Sequence, residues 1–196
     1  MGISRPPLDP MTQATVTIAW VIFANKPFYP LYVWYLLDSG VAASLGTLLA
    51  APFFLAIPFI ARRAPLAARI ALPLVGTLDT LFEVKLFGTG SGTELFFAPC
   101  IMLVALSFRV EETRWQRGLA ALLFLVFLLS RYTIGTPLHA WSKGDLAILL
   151  DLNAFAVACL MVFICLRYAG IHNSRDFSAA PKSDKVEPDH RRGKWL

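Results

Sequence analysis

Charge is what this chain has least of. Only 16% of its 196 residues are charged while 57% are hydrophobic, against roughly 25% charged in soluble proteins, which excludes an ordinary water-soluble domain. Histidine is scarce too: the three present are His139, His172 and His190, and none lies within an apolar run. A membrane-embedded bis-histidine haem is therefore excluded, and His139 has no histidine at ligand spacing with which to hold a metal. Cys100, Cys159 and Cys165 sit inside apolar runs without metal-type spacing and are expected as small core hydrophobes. Residues 1–11 hold three prolines, Arg5 and Asp9 with no cleavage site after the first apolar run, so no cleavable signal peptide is expected. The glycine-rich run 88–92 lacks the Gly-Lys-Ser/Thr of a phosphate loop and reads as a turn. Ser130-Arg131-Tyr132 offers no hydrolase triad. Neither a catalytic residue nor a cofactor is expected.

What the chain does have is basic residues in clusters. Of its 18 Lys and Arg, most fall in four stretches: Arg5, residues 62–69, residues 109–117, and the segment from Arg167 onward. Long apolar runs separate them. Lys and Arg collect on the cytoplasmic side of a bilayer, and a spanning helix needs roughly 20 apolar residues. The pattern predicts an all-α, polytopic bundle of six transmembrane helices with both termini inside. The formal charge of +5 then reflects cytoplasmic loops and tail, with anionic headgroups as counter-charge rather than nucleic acid.

The expected organisation is a cytoplasmic N-terminus over residues 1–12, a transmembrane domain over 13–168, and a polar, disordered tail over 169–196. The spans are expected near 14–37, 41–61, 66–87, 93–108, 119–135 and 144–168. Pro27 and Pro30 interrupt the first; a kinked span is preferred there over an interfacial helix with a short insertion. Pro52 and Pro58 predict a bend in the second. Trp34, Tyr35, Tyr132 and Trp141 are expected at the outer interface, Trp115 and Tyr168 at the inner one.

Nearly every ionisable residue within the spans belongs to the outer half. Asp79 and Glu83 are one turn apart on one helix face, about 12 and 6 Å below Phe87 at 1.5 Å per residue. Glu94 opens span four, Arg131 closes span five, and Asp151 and Asn153 lie about 10 Å into span six. Lys26, Tyr29 and Tyr32 occupy span one. Each isolated charge in hydrocarbon costs roughly 2.5–3.5 kcal/mol on insertion scales, so these groups must pair or line a wet cavity. Lys26, Lys85 and Arg131 are the cations that could balance the acids. Two readings stay open: an outward-facing polar pocket for a ligand or ion, built from Lys26, Tyr29, Tyr32, Asp79, Glu83, Glu94, Arg131, Asp151 and Asn153, or interhelical pairing that binds nothing.

Three stretches are distinctive: residues 25–34 (NKPFYPLYVW), residues 85–96 (KLFGTGSGTELF) and residues 152–157 (LNAFAV). With the six-span layout they resemble the MASE-like membrane sensor regions that precede class III nucleotide cyclases and diguanylate cyclases in bacteria. The resemblance implies a non-enzymatic sensor or accessory bundle in the bacterial inner membrane. About 28 residues follow span six here, with no positions for cyclase catalytic residues, so the expected partner besides the lipid bilayer is a separate cytoplasmic output protein, with a homo-oligomer also open. The alternative is a small transporter or channel for a proton, cation or polar solute, which the prolines would suit; no internal repeat between residues 1–90 and 91–170 supports it.

Overall fold

Prolines and capping side chains set where the helices start. The computed structural model describes residues 7–37 and 40–179, with the backbone alone for 172–179. Asp9 caps α1 (Pro10–Asn25), accepting from the Thr12 amide at 3.2 Å and its hydroxyl at 2.6 Å. Pro27 has no amide to continue that helix, so the chain restarts as α2 (Phe28–Leu36), where Pro30 occupies the first turn and sacrifices no intrahelical bond. The kink expected in the first span is thus a break at Lys26–Pro27.

The next apolar segment, Val41–Ala61, is built of α3 (Val41–Ser44), a 3-10 stretch (Leu45–Ala50) and α4 (Ala51–Ala61). Pro52 cannot donate to Leu48, whose carbonyl is taken by the Ala51 amide in the tighter pattern instead. Then come α5 (Pro65–Phe87), α6 (Phe97–Leu106), α7 (Thr113–Thr133) and α8 (Lys143–Ala179). No strand occurs among the described residues.

Val41–Ala61 and Lys143–Ile171 are long and apolar enough to cross a membrane, and a third span arises if Thr93–Leu106 and Val110–Thr133, bent by 116°, count as one. The other expected spans lack length or apolarity for plain reasons. The first is split at Lys26–Pro27, and α5 carries Arg69, Asp79, Glu83 and Lys85 along its 23 residues.

Two corrections to the sequence reading follow. The helix of the sixth expected span, α8, does not stop at Tyr168 but continues to Ala179, because nothing between Ala169 and Ala179 is a proline and Gly170 alone does not end a helix. Residues 180–196, with the rest of the expected tail and His190, lie outside the described residues, as do residues 1–6 and Asp38–Ser39. Of the cysteines, Cys100 is buried but Cys159 and Cys165 are exposed on α8. A helix apolar on all sides does not reveal which side is core. Its buried stripe is Leu149, Asn153, Val157, Ile164 and Tyr168, leaving Phe155, Val162 and Leu166 outward. An apolar exterior this extensive is the surface of a membrane-associated protein.

The largest core cluster joins α1, α4, α5 and α8 around Ile18, Phe54, Ile57, Leu72 and Ile164. A second packs Val33, Phe87 and Leu149 beneath Trp141, whose ring stacks on Phe87 at 5.3 Å. Between them α5 and α6 approach so closely at Gly76 that a Cβ there would lie 2.9 Å from Cys100 Sγ.

The turn expected over residues 88–92 is present. Gly92 has φ +74°, and a Cβ on it would lie 2.5 Å from Leu150. Gly92→Ala should therefore lower stability by about 1–3 kcal/mol through backbone strain together with the clash, measured as a fall in Tm of the purified protein. Gly118→Ala, a helical position with open space around it, should leave Tm unchanged or slightly raised.

Candidate functional site

The spacing of Asp79 and Glu83 puts both carboxylates on one face of α5, and the α1–α2 break delivers a cation to them. Lys26, at the C-terminal cap of α1, places Nζ 2.5 Å from Asp79 Oδ2 and 2.7 Å from Glu83 Oε1. All three side chains are about nine-tenths buried. The ammonium also lies 5.8 Å from the centre of the Phe54 ring. With all three ionised the cluster carries one excess negative charge, and Asp79 Oδ1 has no hydrogen-bond partner.

Tyr29 and Asn153 border this cluster. The Tyr29 ring packs edge-on against Phe87 at 5.6 Å, and its buried hydroxyl lies toward Asn153. Asn153 donates to the Ser91 carbonyl at 2.9 Å, fastening α8 to the glycine-rich turn. Its Oδ1 is buried and unpartnered.

The remaining expected site residues are placed elsewhere. Tyr32 and Asp151 are exposed. Glu94 pairs with Arg131 at 3.2 Å, but Arg131 is half exposed and its guanidinium lies over Phe127, so this is a peripheral contact. Lys85 balances no acid: it donates to the Ile134 and Thr136 carbonyls, each at 2.8 Å, and pins the α7–α8 connection.

A second polar cluster, which sequence reasoning missed, lies at the opposite end of α5. Arg69, counted only with the basic stretch 62–69, is 3% exposed. It donates to Glu112 Oε1 at 2.6 Å and to the Ser107 carbonyl at 3.2 Å. Tyr168, expected at the interface, is buried beneath it. Its hydroxyl lies 2.9 Å from Ser107 Oγ and 3.3 Å from Thr15 Oγ1. Ser107 and Thr15 give their own protons to the Leu103 and Met11 carbonyls. Tyr168 must therefore donate, and Ser107 is the nearer acceptor. Arg109 Nη2 reaches Asp9 at 3.2 Å. The available signal was position: Arg69 falls one turn inside α5, where a charge needs a buried partner.

Residues 11–176 match the MASE7 family of membrane-associated sensor domains. The chain belongs to that family. Among curated proteins none matches it. Apart from Asp9, both polar clusters lie within the matched residues 11–176, and α5 carries the central residues of each. Ten residues of that helix separate Arg69 from Asp79, about 15 Å along its axis.

Asp9 makes the basic end of this MASE7 chain sensitive to acid. Partial burial raises its pKa, but the Thr12 hydroxyl and amide, then Arg109 and Arg69, outweigh that and hold it below the ordinary 3.8. The folded state thus keeps the carboxylate more readily than the unfolded chain. That contribution is complete above the unfolded value and disappears as pH falls through the lower folded one. Asp9→Asn should lower stability near neutrality yet make Tm less dependent on pH below about 4, measured by thermal unfolding from pH 3 to 7.

Proposed function

We propose that this chain crosses the bacterial inner membrane six times, with both termini inside, and works as a non-enzymatic sensor bundle. The Lys26–Asp79–Glu83 cluster, in the outer half of the bilayer, is its responsive element, and the output is a cytoplasmic protein. One observation carries the reading: in a membrane-sensor family, a buried cluster in which two carboxylates share one ammonium lies on a continuous helix with a second network that grips α8.

The orientation has support from where the basic residues meet. Arg69 and Arg109 converge with Asp9, Glu112 and Tyr168 at one end. Gly88, Pro137 and Trp141 gather at the other. That division is what alternating spans produce under the positive-inside rule.

The mechanism follows from α5 as a rod. Changing how Lys26 divides itself between Asp79 and Glu83 shifts the outer half of α5. Arg69, on the same helix, then changes its hold on Ser107 and Glu112, and with it the seat of Tyr168 on α8. Packed interfaces of this kind switch between discrete arrangements rather than deforming smoothly.

Two measurements test this. With the native cysteines replaced, a single cysteine at Arg62 should react with impermeant reagent only in opened cells, and one at Ser142 in intact cells; the reverse pattern overturns the topology. Affinity purification from crosslinked native membranes should recover a cytoplasmic signalling protein, and deleting residues 175–196 should weaken that recovery if the tail forms the contact. Failure to recover any such partner, together with flux of ions or solutes in proteoliposomes, would replace sensing with transport.

A further inference from the structure

The elements packed around Asp79 bring it little charge. Lys26 comes from α1 and Glu83 from α5 itself. From α2 comes Tyr29, whose buried hydroxyl is within electrostatic reach of Glu83. From α6 comes the buried Cys100 thiol, within electrostatic reach of both carboxylates. The segment Val41–Ala61, with α4, holds no titratable side chain, and α8 offers the neutral Asn153, its Asp151 being exposed. Among the described residues no second cation joins the cluster: Lys85 is held by backbone carbonyls and Arg131 by Glu94.

Two carboxylates therefore divide one ammonium within a largely apolar shell. A buried charge short of a partner is expensive there. The remedy open to a carboxyl is a proton, as in enzyme sites where two close acids hold one proton between them. Asp79 is the better placed of the two to take it. It lies one turn, about 6 Å, further than Glu83 from the Phe87 end of α5, and its Oδ1 accepts no hydrogen bond. That oxygen is closed to solvent, which bars a molecular ligand but not a proton, since fully buried carboxyls in proteins do titrate.

We propose that the cluster is a proton-binding site: Asp79 takes up one proton from the outer water phase, and Lys26 then pairs with Glu83 alone. An O–H bond forms on Asp79 at the expense of one on a hydronium ion, which leaves as water. The cluster passes from one excess negative charge, with all three groups ionised, to neutrality. Lys26 caps α1 at the break before Pro27, so its release from Asp79 lets the end of α1 follow Glu83 toward the outer end of α5. This deepens the sensor reading by naming the proton as the stimulus. It rests on that reading for its orientation and output, but not for the binding itself.

The test is infrared difference spectroscopy on the full chain in phosphatidylcholine nanodiscs, titrated between about pH 5 and 9. The carboxylic-acid C=O band is read in water and in heavy water. Asp9 does not interfere, because its neighbours hold it below the ordinary carboxylate value. Histidine is the side chain that commonly changes charge near neutrality, so His139, edge-on to Trp141 at 4.6 Å, is replaced in a His139→Gln control. As pH falls, the native protein and this control should each gain one carboxylic acid per chain. Its band should shift in heavy water and on carbon-13 labelling of aspartate carboxyls. Asp79→Asn and Glu83→Gln each leave one carboxylate for the one ammonium, so each should lose the gain completely; either suffices if the other does not fold. No gain in the native protein, a gain that persists in a folded amide variant, or a band moved by glutamate rather than aspartate labelling would overturn the proposal. The spectrum reads proton uptake without any output. Uptake with no cytoplasmic partner recovered from crosslinked membranes would reject the sensor reading alone, and a partner recovered without uptake would reject this site alone.

Discussion

Lys26→Met should be among the most damaging single substitutions available in this protein. It leaves Asp79 and Glu83 side by side, both about nine-tenths buried and with no cation between them. Breaking a buried pair by removing one partner costs about 3–5 kcal/mol, and here two like charges are left to repel. The loss should appear as a large fall in Tm, or as failure to accumulate in membranes. The acids should behave differently. Asp79→Asn and Glu83→Gln each leave the ammonium opposite one carboxylate, so either should cost about 1.5–3 kcal/mol, the scale of a lost charged hydrogen bond. Combining all three substitutions should restore much of what Lys26→Met loses. The comparison separates a charge-balance role from simple packing: if the triple variant is no more stable than Lys26→Met alone, electrostatic balance is not what Lys26 supplies.

The second large effect is expected at Arg69. Arg69→Met removes at once the partner of Glu112 and the donor to the Ser107 carbonyl, both in a site where Arg69 is 3% exposed. A loss of about 3 kcal/mol or more is expected in thermal unfolding. Arg69→Lys should recover only part of it. The guanidinium serves two acceptors with two separate nitrogens, a fork that a single ammonium on a flexible stem does not reproduce. Glu112→Gln should be milder, since that carboxylate is 16% exposed and partly solvated. A lysine variant as stable as the native protein would mean that charge alone, without the forked geometry, holds this end together.

Sequence alone reached a good part of this arrangement. Prolines, glycines and hydropathy located Val41–Ala61 and Phe87 as segment limits, because each is set by local chemistry. The Lys26–Asp79–Glu83 cluster was also reachable, since charges at similar depth in a low-dielectric interior must find one another. Helix register was the harder quantity. Asp151 and Asn153 are two residues apart and so roughly 200° apart around an α-helix; one is exposed and the other fully buried. An all-apolar helix carries no polar face to mark its register, which is also why Cys159 and Cys165 were expected inside. Arg69 was missed for a different reason: a cation near a helix end matches a topological signal, and that match masked its position one turn inside the span, where a charge needs a partner.

The 3-10 stretch before Pro52 has a dimensional effect. At about 2.0 Å per residue instead of 1.5, those six residues lengthen Val41–Ala61 by about 3 Å, to about 34 Å end to end. A hydrocarbon layer of about 30 Å accommodates that rod only by inclining it close to 30° or by swelling locally. Rewinding the stretch into α-helix would remove about two-thirds of that excess length, leaving about 1.5 Å.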